Sequence, residues 1–484
     1  WDKNVSNMNK LKSNFVYATA YKMLELLLPL ITSPLLSRRL GAEALGTYTY
    51  TYSMVSLFVM YAELGSYRYG MREIAKVQNI KADRNRVYSD IFWTHAVNAS
   101  ISLVLYIIVA ILIGKEYREI VLLQSLCIVS NMIDNSFLYV GMEDMRTITL
   151  RDGTVKIATF VLILLLIKSP DDLMLYVLIM NVCGIVCKVI ALVYAKKYVS
   201  LVLPNISNCI NHFKHMVVLM IPVIAAGIYQ SMDKIMIGSM YKKEDVGYYD
   251  CASKALISKN IITVFGTVLC PHITNLYAEG KTVEAEKAFR KSFCLSMIMA
   301  YAFMFGIAAV AKEFAPLFWG EEFSVCTPMM VGLSISLPLW TIGESIRNQF
   351  LLPNGRDHEY MSSFLVGVAV NAVFNFILIP TYGAMGAICA TIAAEFAMSA
   401  VQIYFVRKEL NIIHDLFQTF PYFIIGLIMC FSVRCLADAL NSNLLVKVLM
   451  EIVIGGSIYG VLSVSYEALT HRFLLLDILQ RHKI

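Results

Sequence analysis

Residues 15–46 read FVYATAYKMLELLLPLITSPLLSRRLGAEALG. A bilayer's hydrocarbon core takes about 20 apolar residues to cross, and this run is long enough. Yet it carries Lys22 and Glu25 one helical turn apart near its start, Pro29 and Pro34 inside it, and Arg38 and Arg39 at its far end. A passive anchor needs none of these charges. Even lenient insertion scales put a central Lys or Asp at about 2.5 to 3.5 kcal/mol, so an ionisable residue at membrane depth reads as functional by default. Proline removes a backbone hydrogen bond, so Pro29 and Pro34 are expected to bend the helix where a neighbour or water satisfies the freed carbonyls. The stretch reads as the wall of a cavity.

The surrounding composition agrees. Of 484 residues 58% are hydrophobic and 16% charged, with mean hydropathy +0.64; soluble chains carry about 25% charged residues. Apolar runs of membrane length recur throughout, so the chain reads as all-α and polytopic. The net charge of +6 comes from basic residues placed mostly between spans, where they set orientation and make no case for nucleic acid. None of the eleven cysteines forms a CxxC pair, and no metal-ligand spacing or cofactor motif is present. No cleavable signal peptide is expected. The seven residues WDKNVSN precede a natural start expected at Met8.

Apolar windows place about fourteen helices: 14–36, 47–67, 91–113, 119–141, 153–168, 173–195, 215–238, 251–276, 289–311, 327–351, 360–380, 384–406, 417–436 and 445–466. With a cytoplasmic N-terminus, the inner connections hold Arg68, Arg72, Lys76, Lys196, Lys197, Arg407 and Lys408 among many others. The outer ones hold far fewer, so positive-inside supports both termini in the cytoplasm. All outer connections are short, leaving no room for an external catalytic domain. The expected organisation is a cytoplasmic N-terminus at 1–13, a lobe of helices 1–6 at 14–200, a lobe of helices 7–12 at 201–410, helices 13 and 14 at 411–470, and a cytoplasmic tail at 471–484.

The two lobes repeat one order of parts. Pro29 leads to Leu40-Gly41, then Gly46-Thr-Tyr48, a helix, and a charged amphipathic stretch at 72–90. Pro222 leads to Ile237-Gly238, then Val246-Gly-Tyr-Tyr249, a helix, and a charged stretch at 279–291. Six helices separate the copies, so they share one orientation and a pseudo-two-fold axis along the membrane normal is expected.

With Pro34-Leu-Leu-Ser-Arg-Arg-Leu-Gly41, Leu64-Gly65 through Arg72-Glu-Ile-Ala75, Asp233-Lys234-Ile-Met-Ile-Gly238 and the block NAVFNFILIPTYGAMGAICATIAAE at 371–395, the chain resembles the polysaccharide transporters of the multidrug/oligosaccharidyl-lipid/polysaccharide exporter superfamily. These are the Wzx-type flippases of O-antigen and capsule repeat units. The resemblance runs from about residue 9 to 466. It implies two six-helix lobes that alternate access and move an undecaprenyl-pyrophosphate-linked oligosaccharide from the cytoplasmic to the external leaflet of a bacterial inner membrane. It implies transport and no catalysis, a monomer, and a polysaccharide polymerase and an initiating glycosyltransferase as partners beside the membrane lipids; the charges are compatible with driving by membrane potential or by a sodium or proton gradient. A peptidoglycan lipid II flippase and a multidrug cation antiporter of the same superfamily are the alternatives.

A lipid-linked pyrophosphate carries about two negative charges and needs cations facing water. By position these are Lys22, Arg68, Arg72, Lys254, Lys259 and Arg347; the resemblance, in which basic residues of helices 1, 2 and 8 line the inward cavity, favours Lys22, Arg68, Lys254 and Lys259. Gating or ion coupling is expected of Glu25, Arg38, Arg39, Asp233, Lys234 and Glu344, and hinging of Pro29, Pro34 and Pro222. The bland readings are local i, i+3 pairs for Lys22 with Glu25 and for Arg347 with Glu344, topology alone for Arg68 and Arg72, and ordinary packing kinks for the prolines. Glu63, Asp134, Lys188, Glu395 and Glu451 are further polar residues noted in the spans, and His95 reads as an isolated packing histidine.

Overall fold

The computed structural model describes residues 2–112, 117–439 and 443–470, with side chains from residue 14 onward except 15, 18, 221, 222, 265–268, 438 and 439. The tail expected at 471–484, the leader's Trp1 and the side chain of Pro222 lie outside the described residues. Among those described, all regular structure is helical. The helices are α1 (Asp2–Glu63), α2 (Ser66–Val77), α3 (Lys81–Leu112), α4 (Arg118–Met132), α5 (Ser136–Gly141), α6 (Met145–Leu166), α7 (Leu173–Ala195), α8 (Ile206–Met240), α9 (Lys243–Lys254), α10 (Ser258–Ala278), α11 (Thr282–Trp319), α12 (Cys326–Ile346), α13 (Asp357–Val406), α14 (Ile412–Ala439) and α15 (Leu444–Thr470).

Eight of these segments are long and apolar enough to cross a membrane, or ten with the two bent pairs, 206–240 and 243–278, counted as one span each. Two of the long helices turn a corner. Inside α1 the backbone leaves helical geometry at Gly41 (φ 74°, ψ 177°), and inside α13 at Gly383 (φ 53°, ψ −131°). Counting both arms of each cornered helix and the charged α6 gives the fourteen spans expected from sequence. Gly383 is required where it stands: a Cβ there would lie 2.3 Å from Asp245 Oδ2, and its φ is left-handed. Asp245 Oδ2 in turn accepts the Ala384 amide at 3.0 Å, satisfying a donor that the corner frees.

Pro29 and Pro34 lie within continuous helix, and the backbone of α1 departs from helical geometry at Gly41. Glycine is the cheaper way to make a corner, because it accepts φ > 0 without a Cβ penalty. The bend near Pro222 is present: the axes of 206–220 and 223–240 differ by 46°.

Contacts divide the chain into two compact units, 1–238 and 239–484. The helix expected to open the second lobe therefore packs with the first unit over most of its length, and the cause is visible in the segment that precedes it. Arg84 donates to the Tyr198 carbonyl at 2.7 Å, Asn85 Oδ1 accepts the Ser200 amide, Ser89 Oγ the Val202 amide, and Asp90 Oδ1 the Asn205 amide at 2.8 Å. The connection is thus strapped along α3. Tyr69 OH then meets His212 Nδ1 at 2.8 Å, and Gly65 lies against the backbone of Met216.

Each unit has its own buried core. In the first, Tyr88, Phe137, Leu138 and Tyr139 pack with Ile74 and Ala191; a second cluster joins Val55, Tyr106, Val121 and Ile128. In the second, α11 is the central element: Phe289, Phe293, Met297 and Tyr301 pack against residues of α12, α14 and α15.

Candidate functional site

α1, α6 and α7 of the first unit enclose a cavity of about 430 Å³. Its long walls are apolar, from Leu28, Leu36, Phe160, Ile163 and Met180, and its polar end is made by Tyr21, Glu25, Asp152, Lys156 and Lys188. At that end Lys156 Nζ lies 3.1 Å from Glu25 Oε1 and donates to Tyr21 OH at 3.0 Å. Glu25 also holds Lys22 at 3.3 Å through its other oxygen. One carboxylate thus bridges two ammonium groups, one inside the cavity and one outside.

Lys22 itself is 73% exposed and does not line this cavity. It stands 18 residues before Leu40, about 27 Å along the helix, so it belongs near the opposite face of the membrane from the Gly41 corner. Arg68 and Arg72 follow on α2, which begins after the left-handed Gly65; both are exposed, and Arg72 contacts Glu73 at 3.4 Å. Arg39 is committed locally: its guanidinium donates to the Leu164 and Ile167 carbonyls, each at 2.6 Å, and so caps the C-terminal turn of α6. Asp233 is buried, while Arg38 is exposed and Lys234 half-buried.

In the second unit the structure sorts the expected residues differently. Glu344 and Arg347 are in direct contact, and Asn348 Nδ2 donates to Glu344 Oε1 at 2.6 Å, which is the self-satisfied pair of the bland reading. α12 widens into a π-turn over Arg347–Leu351 at this pair, with Leu352 N bonding back to Arg347 O at 3.0 Å. Lys254 pairs with Asp250 one turn earlier at 2.8 Å. Lys259 lies 5.2 Å over the ring of Trp340 and 3.9 Å from Glu395 Oε1, a charge contact too long for a hydrogen bond.

Two charged groups escaped the sequence reading. Asp152 fell just outside the fifth span expected at 153–168, which held Lys156 without singling it out, whereas α6 begins at Met145 and takes both into the helix, one turn apart. Their spacing of four was the available signal. The other is Glu313 on α11, which holds Arg434 of α14 at 2.5 Å and Lys447 of α15 at 3.3 Å. Partners this far apart in sequence leave no local pattern. Among the described residues no group of three or more His, Cys, Asp or Glu is placed to hold a metal ion.

The fold has solved counterparts. A lipid II flippase, MurJ, in an inward closed conformation superposes with a TM-score of 0.73 over 95% of this chain and all of that one, at 14% identity. A Shigella dysenteriae protein with the provisional name of O-antigen transporter is 20% identical over 378 residues, 76% of this chain and 93% of its own. An Escherichia coli (strain K12) protein of the same provisional name is 21% identical over 414 residues, 83% of this chain and 99% of its own. The model of the family described as polysaccharide biosynthesis protein matches residues 11–277, more than half of the chain, and the chain belongs to that family.

Proposed function

We propose that this protein is a flippase that carries an undecaprenyl-pyrophosphate-linked oligosaccharide repeat unit from the cytoplasmic to the external leaflet by alternating access, for capsule, O-antigen or another surface polysaccharide. The observation that carries the reading is Lys22, an ammonium within the first span that is left 73% exposed on the surface of its unit. Hydrocarbon does not tolerate that, so the group faces water or head groups. Held by the bridging Glu25 near the inner end of α1, it is placed to meet a pyrophosphate entering from the cytoplasm, with Arg68 and Arg72 as further exposed cations of the same unit. Relatives named for O-antigen transport, matched along nearly their whole length, support the substrate class.

The finer proposals follow from this reading. The protein sits in a bacterial inner membrane with both termini in the cytoplasm, functions as a monomer beside a polysaccharide polymerase and an initiating glycosyltransferase, and draws on a sodium or proton gradient. Lys254, Lys259 and Arg347 contribute to head-group binding; Arg38, Asp233 and Lys234 contribute to gating. The test is transport by Lys22→Ala in cells otherwise lacking this protein. Loss of flipping with normal insertion supports the reading, and unchanged flipping removes Lys22 from the path.

A further inference from the structure

The fourth span of the first unit, 118–141, is not one helix. α4 stops at Met132 and α5 starts at Ser136, so residues 133–135 cross the membrane region unwound. Irregular backbone at that depth survives only where protein or a water-filled space satisfies it. Both are present. The Asn131 carbonyl accepts the Asp134 amide at 2.8 Å and His95 Nε2 at 2.7 Å, and Asp134 Oδ1 accepts the Ser136 amide and hydroxyl at 2.9 and 2.6 Å. Beside the break lies a cavity of about 250 Å³, room for several waters at about 30 Å³ each.

Two of the three carboxylates around that cavity are paired. Asp134 is matched by Lys188 at 2.6 Å and Asp152 by Arg151 at 2.5 Å. His95 is committed elsewhere: Nε2 bonds the Asn131 carbonyl at 2.7 Å and Nδ1 lies 3.1 Å from Ser66 Oγ, and neither ring nitrogen is bonded to the Glu63 carboxylate. Glu63, at the end of α1, lines the same cavity; its backbone meets the His95 ring, while its carboxylate has no hydrogen bond or ion pair among the described residues. The charges acting on it are Asp134, Lys188 and Arg68, of which the first two satisfy each other and the third is exposed; Tyr21 and Tyr67 complete the wall as neutral phenols. Asn131 Oδ1, also in the wall, is buried without a donor. The cavity thus holds one carboxylate and one buried amide oxygen that lack a bonded partner among the described residues.

We propose that this cavity binds one monovalent cation, a sodium ion or a proton, with the Glu63 carboxylate as its charged partner and Asn131 Oδ1 as a neutral one. Hard oxygen donors suit sodium, and a protonated Glu63 would itself supply the missing donor. Discontinuous spans whose unwound backbone lines a polar cavity are where secondary transporters hold coupling ions, so the site would serve as an energy-coupling site and in that respect rests on the transporter reading.

The test uses the purified full-length protein in lipid nanodiscs. Two signals are measured: saturable binding of radioactive sodium, and the infrared band of a protonated carboxyl group as a function of pH. Sodium binding that weakens about 10- to 100-fold in Glu63→Gln and is retained in Glu63→Asp supports the sodium form. A titrating carboxyl band that vanishes in Glu63→Gln, without sodium binding, supports the proton form. Asn131→Ala removes only the orphaned acceptor and is expected to weaken either signal several-fold; it serves if Glu63→Gln fails to insert. Absence of both signals in the native protein, or either one unchanged in Glu63→Gln, overturns the proposal. Binding is read without transport, so a protein that binds the cation but moves no lipid-linked glycan would sink the flippase reading and leave the site standing.

Discussion

Lys156 Nζ on α6 lies 3.1 Å from Glu25 Oε1 on α1 at the polar end of a largely apolar cavity. Among the described residues Glu25 links the half-buried Lys156 to the exposed Lys22. Glu25→Gln should therefore release both cations, and Lys156→Met should strand a carboxylate still partnered by Lys22. Both side chains of the inner pair are a third exposed, so each change should cost only about 1 kcal/mol of stability. Flipping should fall far more in Glu25→Gln than in Lys156→Met. Equal losses, measured by complementation with expression controlled, would refute the bridging role.

Arg39 is expected to matter for stability rather than for transport. Its two bonds to the Leu164 and Ile167 carbonyls close the end of α6. Arg39→Ala should cost about 2 kcal/mol, seen as a lower melting temperature in detergent, with Arg39→Lys recovering part of it. A fully stable Arg39→Ala that fails to transport would return this residue to a gating role.

The charged cluster of α11, α14 and α15 gives an ordering. Glu313 holds Arg434 and Lys447 at 2.5 and 3.3 Å, whereas Glu451 reaches Arg434 only at 3.9 Å and both its oxygens are buried without a hydrogen bond. Glu313→Gln leaves two half-buried cations short of their partner and should destabilise by about 3 kcal/mol. Glu451→Gln removes a poorly satisfied charge and should be neutral or stabilising. The reverse order in thermal unfolding would show that Glu451 is the partner that matters.

Asp144 provides a pH signature outside the spans. Partial burial raises its pKa, but bonds from the Thr147 amide and hydroxyl and from Tyr198 OH outweigh this and hold the carboxyl below its ordinary range. A depressed folded-state pKa contributes stability above the unfolded value, lost as pH falls through the folded one. Unfolding on acidification should therefore be less steep in Asp144→Asn than in the native protein, and Asp144→Ala should cost about 1 kcal/mol at neutral pH as a lost N-cap. An identical acid profile for Asp144→Asn would exclude the carboxylate from this linkage.

The spans were legible because the signal for them is local. A run of apolar residues must be helical in a bilayer whatever its neighbours do, and every expected window falls within or across an observed helix. Corners were less legible: the prolines drew attention as hinges, whereas the departures from helical backbone are at Gly41 and Gly383, whose positive φ favours glycine. The packing of α8 with the first unit could not be read, because Arg84, Asn85, Ser89 and Asp90 mark a strap only once the connection lies against them. Glu344 with Arg347 was visible as an i, i+3 pair and is one. Lys156, Glu313 and the lone Glu63 were not visible as a site, since each is defined by what stands beside it across more than one helix.

The central claim, that this chain moves a lipid-linked glycan between leaflets, is tested most directly in cells from which the protein has been removed. Their lipids are extracted and the leaflet of any accumulating undecaprenyl-linked oligosaccharide is determined. Accumulation on the cytoplasmic leaflet, relieved by the native protein and not by Lys22→Ala, is the predicted result, and its mass would name the sugars. Accumulation on the external leaflet, or none at all, would contradict the account.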